Sequence, residues 1–127
     1  RSLARLRDRG LRLAALTNST AEVADQQLGN SGLSGYFERI LSADEVSRLK
    51  PAPEPYRMAA DRLGTGMDGI RLVAAHSWDV AGAMRAGCAA AFVARPGMVL
   101  DPLAPTPDVV GADLDETAGL ILEAELS

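Results

Sequence analysis

The stretch Arg71-Leu72-Val73-Ala74-Ala75-His76-Ser77-Trp78-Asp79 decides the fold. Leu72 to Ala75 is an apolar run without polar alternation, the pattern of a strand buried on both faces of a parallel sheet. It stops abruptly at His76, Ser77, Trp78 and Asp79, and an Ala- and Gly-rich helical segment, Val80 to Ala86, ends at Gly87. A strand running straight into a helix leaves polar side chains at the carboxyl end of the sheet, where open α/β folds bind small molecules. A plainer reading makes Ser77 a helix cap and Asp79 a partner of the first-turn dipole. These residues alone favour neither.

Outward from this unit the same alternation repeats. On the carboxyl side, Ala89 to Ala94 reads as a second buried strand halted by Pro96-Gly97. Pro102 to Pro107 is loop, Val109-Val110 a short edge strand, and Leu114 to Leu126 a closing helix with Leu114, Ala118, Ile121 and Leu122 inward. On the amino side, Lys50-Pro51-Ala52-Pro53-Glu54-Pro55-Tyr56 opens a helix near Pro53, since proline is tolerated in a first turn. Tyr56, Ala59, Ala60 and Leu63 share a face of it, and Gly64 ends it. Phe37 to Leu41 leads to a short strand, and Ser42 with Glu45 has capping-box spacing. Leu11 to Thr17 is a core strand, and Ser19 with Glu22 has the same spacing for a helix over roughly residues 20–29. An amphipathic helical end closed by Gly10 precedes it. Strands alternating with helices predict an α/β fold with a parallel sheet and right-handed crossovers.

A chain of 127 residues makes one modest domain, residues 1–127, with no repeat or linker to divide it. The net charge of −4 argues against nucleic acid and anionic membrane surfaces, which want a basic patch. No apolar run reaches membrane-spanning length and no signal-peptide pattern is present. The single cysteine, Cys88, fits a reducing, cytoplasmic compartment and, among small neighbours, a buried hydrophobe better than a reactive thiol. Trp78, the only tryptophan, is expected to pack its helix onto the sheet.

Four polar groupings fall at, or just after, predicted strand ends: Thr17-Asn18-Ser19, Lys50, Tyr56, and His76 to Asp79. In a doubly wound sheet these ends share one rim. Pro51 holds Lys50 extended, placed either to point its ammonium inward or to serve as an ordinary loop lysine. Thr17 and Asn18 stand beside a helix N-terminus, as an anion cradle or as simple caps. His76 is open as a base, a ligand or a core histidine. Zinc is disfavoured because there is no second His and no Cys/His spacing. No Gly-x-Ser-x-Gly elbow supports a serine triad.

Taken in order, Leu-Thr-Asn-Ser (16–19), Lys-Pro-Ala-Pro-Glu-Pro-Tyr (50–56) and Ala-Ala-His-Ser-Trp-Asp-Val-Ala-Gly-Ala (74–83) resemble the haloacid dehalogenase superfamily, most closely the type II 2-haloacid dehalogenases. The resemblance runs from about Arg1 to Leu122. It implies a Rossmann-like three-layer parallel sheet whose first strand carries a nucleophilic aspartate in an Asp-x-x-x-Thr signature. That aspartate displaces halide from a short halogenated carboxylic acid, and water cleaves the resulting ester, with no cofactor. By the same resemblance Thr17 contributes a hydroxyl to the substrate carboxylate and Asn18 lines the substrate and halide site. Lys50 ion-pairs with the nucleophile, Tyr56 is an active-site tyrosine, and Asp79 completes the site. A homodimer is common among such relatives.

Two departures follow. The signature strand and the helical cap are absent, and the chain opens on Arg1 inside a helical pattern, so it is expected to be an incomplete core, inactive by itself. By family topology the absent strand lies between the Leu11 and Leu72 strands, leaving two unpaired edges. Second, Ala74 and Ala75 stand where the Mg²⁺-dependent phosphatases of the superfamily read Gly-Asp, which removes a carboxylate that magnesium wants. His76 stands where many haloacid dehalogenases have asparagine, which leaves fluorinated acids among the substrates and makes His76 a candidate for positioning water or halide. The competing readings are a Mg²⁺-dependent phosphatase and a catalytically silent α/β interaction module.

Overall fold

Strands and helices alternate along the chain in the computed structural model, which describes residues 2–126. Arg1, where the resemblance begins, and Ser127 lie outside the described residues. The order is α1 (Ser2–Asp8), β1 (Ala14–Thr17), α2 (Ala21–Ser31), β2 (Arg39–Ser42), α3 (Pro53–Arg62), β3 (Arg71–Ala74), α4 (Ser77–Ala86), β4 (Ala89–Val93), β5 (Val109–Gly111) and α5 (Leu114–Leu126). All strand pairings are parallel, Ala14 beside Arg39, Arg71 beside Ala89 and Ala91 beside Val109.

The alternation of side chains along β4 makes three layers. Ala90 and Phe92 face Val80 of α4, while Ala91 faces Val109, Ala118 and Ile121 beneath α5, with Leu6 of α1 beside them. On the α4 side, Tyr56 of α3 and Ala83 of α4 close over Leu16 of β1 and Leu72 of β3. Arg71, only 10% exposed, donates to the Ala90 carbonyl, Asp108 and Glu125, stapling β3 to the approach of β5 and to α5. That guanidinium holds the Asp108 carboxyl below its ordinary pKa.

The strands form two sheets, β1–β2 and β3–β4–β5. Among the described residues β1 pairs only with β2 and β3 only with β4 at its side, so each keeps an unpaired edge. Between them lies an apolar slot of about 400 Å³, bordered by Ala14 and Leu16 on one side and Leu72 and Val73 on the other.

The structure corrects several local expectations. The Leu72 strand is half-buried rather than buried on both faces, because Val73 borders the open slot and stays 38% exposed. Strand pairing begins at Ala14 rather than Leu11, since the Leu11 amide closes the end of α1 on the Leu6 carbonyl. Thr20, not Ser19, caps α2, accepting from the Val23 amide. The Ser42–Glu45 capping box forms, but on a single turn of tighter helix over Ala43–Val46. Ser77 is the first residue of α4 rather than its cap, and its hydroxyl accepts instead from the Asp101 amide at 2.7 Å. Cys88 is buried as expected, and burial pushes its thiol pKa up to about 11.

Candidate active site

Lys50 lies on the turn that precedes α3, joined to Pro51 by a cis peptide bond. Its side chain is 9% exposed, and its Nζ donates to Asp79 Oδ2 at 2.8 Å and to the Leu16 carbonyl at 3.2 Å. One acceptor belongs to the first turn of α4 and the other to the end of β1. A single ammonium therefore ties together the carboxyl ends of two sheets that share no backbone hydrogen bond. An ammonium has three protons to give, and among the described residues the third has no acceptor.

Asp79 is 6% exposed, and both its carboxylate oxygens are engaged. Oδ2 takes Lys50, and Oδ1 accepts the Tyr56 hydroxyl at 2.6 Å. Burial first, and then the neighbouring Asp79 carboxylate, hold the Tyr56 pKa well above its ordinary value, so the phenol stays a neutral donor. The shift has a consequence for stability. A phenol held protonated in the fold but released near pH ~10 in the unfolded chain stabilises fully below that pH and less as pH rises past it. Urea midpoints measured on the alkaline side are expected to fall more steeply for the native protein than for Tyr56→Phe. Equal slopes would remove Tyr56 as the cause.

The Thr17–Thr20 turn faces Lys50 from the end of β1. Asn18 Oδ1 accepts the Lys50 amide at 2.8 Å, and Asn18 Nδ2 donates to the Lys50 carbonyl at 3.3 Å. Thr17 Oγ1 accepts the Ser19 amide at 3.0 Å and keeps its own proton to donate. Buried Ser42 fastens the turn from below by donating to the Ser19 carbonyl at 2.6 Å.

Thr17, Asn18, Lys50, Tyr56 and Asp79 are thus brought to one rim. His76 shares the rim but not the hydrogen-bonded cluster. It is exposed at the start of α4, its ring 5.8 Å from that of Trp78. Trp78 does not pack the helix onto the sheet as expected. It stays 46% exposed, and its ring centroid lies 5.9 Å from Lys50 Nζ, where an aromatic face attracts a cation. Sequence reasoning also missed the Leu16 carbonyl, which as backbone carries no signature, and the role of Ser42. One signal for Lys50 was available: it is the only lysine of the chain, every other basic residue except His76 being arginine.

This arrangement can keep an incoming carboxylate ionised, since a fixed ammonium with a free proton favours the charged form. Both Asp79 oxygens are engaged, and among the described residues no group of three or more His, Cys, Asp or Glu side chains is placed to hold a metal ion.

Known proteins are similar to this chain over most of its length. Haloacetate dehalogenase H-2 of Moraxella sp. (strain B) is 35% identical over 120 residues, covering 94% of this chain and 54% of the relative. The plasmid phosphoglycolate phosphatase of Cupriavidus necator is 35% identical over 129 residues, covering 98% of this chain and 54% of the phosphatase. The chain therefore spans about half the length of the curated relatives it matches. Among solved structures, the L-2-haloacid dehalogenase of Xanthobacter autotrophicus with chloropropionic acid covalently bound superposes with a TM-score of 0.87 at 25% identity, covering 99% of this chain and 59% of that one. The model of the family described as haloacid dehalogenase-like hydrolase matches residues 1–93, which include Thr17, Asn18, Lys50, Tyr56 and Asp79. With parallel strands delivering these side chains to one rim, the chain belongs to the haloacid dehalogenase-like hydrolases.

Proposed function

We propose that residues 1–127 form the carboxyl-terminal portion of a dehalogenase core that hydrolyses short 2-haloacids through an aspartyl ester. The nucleophilic aspartate arrives on a strand that fills the slot between β1 and β3. The observation that carries this reading is the Lys50 ammonium, held on Leu16 and Asp79 at the carboxyl end of that slot with one proton uncommitted. A carboxylate ending the inserted strand would meet that proton. The similarity to a dehalogenase holding chloropropionic acid covalently supports the same reading.

In this mechanism a carboxylate oxygen attacks the halogen-bearing carbon, and the carbon–halogen bond breaks with its electron pair leaving on halide. Water then adds to the ester carbonyl and the aspartate is regenerated, with Asp79 completing the site, and the products are the 2-hydroxy acid, halide and a proton. Lys50 keeps the nucleophile ionised, and Tyr56 fixes Asp79. The Thr17 hydroxyl holds the substrate carboxylate, and the uncommitted proton of the Asn18 amide faces the substrate and halide site. His76 positions water or halide, so His76→Ala is expected to lower turnover by about tenfold or more; unchanged halide release would strike it from the site.

Similarity to a phosphoglycolate phosphatase favours a second reading, a Mg²⁺-dependent phosphatase. Ala74 and Ala75 and the doubly engaged Asp79 oppose it. Halide release from 2-chloropropionate, measured on protein carrying both this chain and the aspartate strand, separates the readings. Release indifferent to EDTA is expected. Phosphate release abolished by EDTA would move the chain to the phosphatases, and neither activity would leave an interaction module. No helix among the described residues is long and apolar enough to cross a membrane, and the buried thiol of Cys88 supports a cytoplasmic setting.

A further inference from the structure

The turn that carries Lys50 lies at the surface, closed by the Ala52 amide on the Leu49 carbonyl at 3.0 Å. Ser47, Arg48 and Leu49 before it are exposed, Leu49 by 57%, and Pro51 after it is exposed as well. Two features grip the Lys50 peptide itself. On one side Asn18 closes a pair of hydrogen bonds on it, Oδ1 to the amide and Nδ2 to the carbonyl. Only this orientation of the carboxamide satisfies both backbone groups, since the Lys50 amide can only donate and its carbonyl can only accept. On the other side Gly82 of α4 lies so close that a Cβ there would stand 2.6 Å from Pro51 Cβ and 2.9 Å from the Pro51 carbonyl oxygen.

We infer that Asn18 is a positioning residue for Lys50: its carboxamide sets where the ammonium stands by fixing the backbone beneath a long, flexible side chain. The family resemblance gives Asn18 a place against substrate and halide, and one Nδ2 proton remains for that. Its other two polar contacts serve Lys50. The Lys50 side chain has four rotatable bonds and two acceptors on different elements, β1 and α4, so a free backbone would lose both together. The inference rests on the reading of Lys50 as the ammonium of the site, but its test needs no turnover.

Because Lys50 is the only lysine, acetic anhydride labelling followed by peptide mass analysis reads its side chain directly, apart from the terminal amine. Asn18→Ala is expected to speed acetylation of Lys50, and exchange of the Lys50 amide proton, by about tenfold or more as two hydrogen bonds are lost. Asn18→Ser, too short to reach both partners, is expected to act in the same direction should the alanine variant fold poorly. Thr20→Ala, which removes the cap of α2 without touching Lys50, should leave both rates as in the native protein. Native rates in both Asn18 variants, or equal acceleration by Thr20→Ala, would overturn the inference. Where turnover is measured on protein carrying the aspartate strand, Asn18→Ala is expected to lower kcat in addition to any rise in KM, whereas loss of a substrate contact alone would raise KM with kcat little changed. Accelerated labelling without any dehalogenation would leave this inference standing and remove the proposed function.

Discussion

Lys50→Met is expected to destabilise the fold by about 3–5 kcal/mol, the cost of stranding one member of a buried ion pair. The two side chains are 9% and 8% exposed, so water cannot take over the role of the missing ammonium at Asp79. Tyr56 would still donate to Oδ1, but Oδ2 would lose its partner, and the Leu16 carbonyl would lose its link to α4. The last loss is specific to this molecule. Lys50 is a polar tie between the ends of two sheets that share no ladder, so the slot between β1 and β3 should loosen as well. Urea denaturation gives the magnitude. The double variant Lys50→Met with Asp79→Asn removes both charges and is expected to recover part of the loss. A single variant as stable as the native protein would mean that the pair contributes little.

Gly82→Ala is the second large effect, expected to cost about 1–3 kcal/mol through overpacking. The new methyl would meet Pro51 Cβ at 2.6 Å, the Pro51 carbonyl oxygen at 2.9 Å and the Tyr56 hydroxyl at 3.0 Å. Two of these are ring or backbone atoms with little room to yield, and the third belongs to the group that fixes Asp79. Relief must therefore push the Lys50–Pro51 turn away from α4, lengthening Lys50 to Asp79. Trp78, the sole tryptophan and a neighbour of the ammonium, should report that shift in its fluorescence. Gly29→Ala is the control. It lies inside α2 where a Cβ meets nothing within 4 Å, and it is expected to stabilise by about 0.5–1 kcal/mol. If both substitutions behave alike, the close approach at Gly82 is not what sets the turn.

Much of this was legible in the chain itself. The helix over Leu114–Leu126 forms where periodicity places it, and the strand expected over Ala89–Ala94, halted by Pro-Gly, forms over Ala89–Val93. Asp79 and Tyr56 were readable because each stands in a first helical turn, and Lys50 because Pro51 marks the turn before α3; parallel α/β topology sends such side chains to one rim. Ser19 and Ser77 both have capping chemistry by local spacing, but the neighbouring Thr20 caps α2, and the Ser77 hydroxyl is claimed by the Asp101 amide, a partner distant in sequence. Local pattern cannot see such a partner. Trp78 misled for the same reason, because the cation that draws its ring outward lies on another loop. The grip of Asn18 on the Lys50 backbone was invisible too, since it depends on where two loops meet rather than on either motif.

The central claim is that these side chains serve an aspartate that becomes esterified. A single turnover of 2-chloropropionate in water carrying heavy oxygen tests it most directly, on protein that includes the aspartate strand. Water that attacks an ester carbonyl leaves its oxygen in the aspartate, so the heavy isotope is predicted in the protein carboxylate and not in the first lactate formed. Heavy oxygen in that first lactate would mean that water displaces halide directly, and would contradict the account.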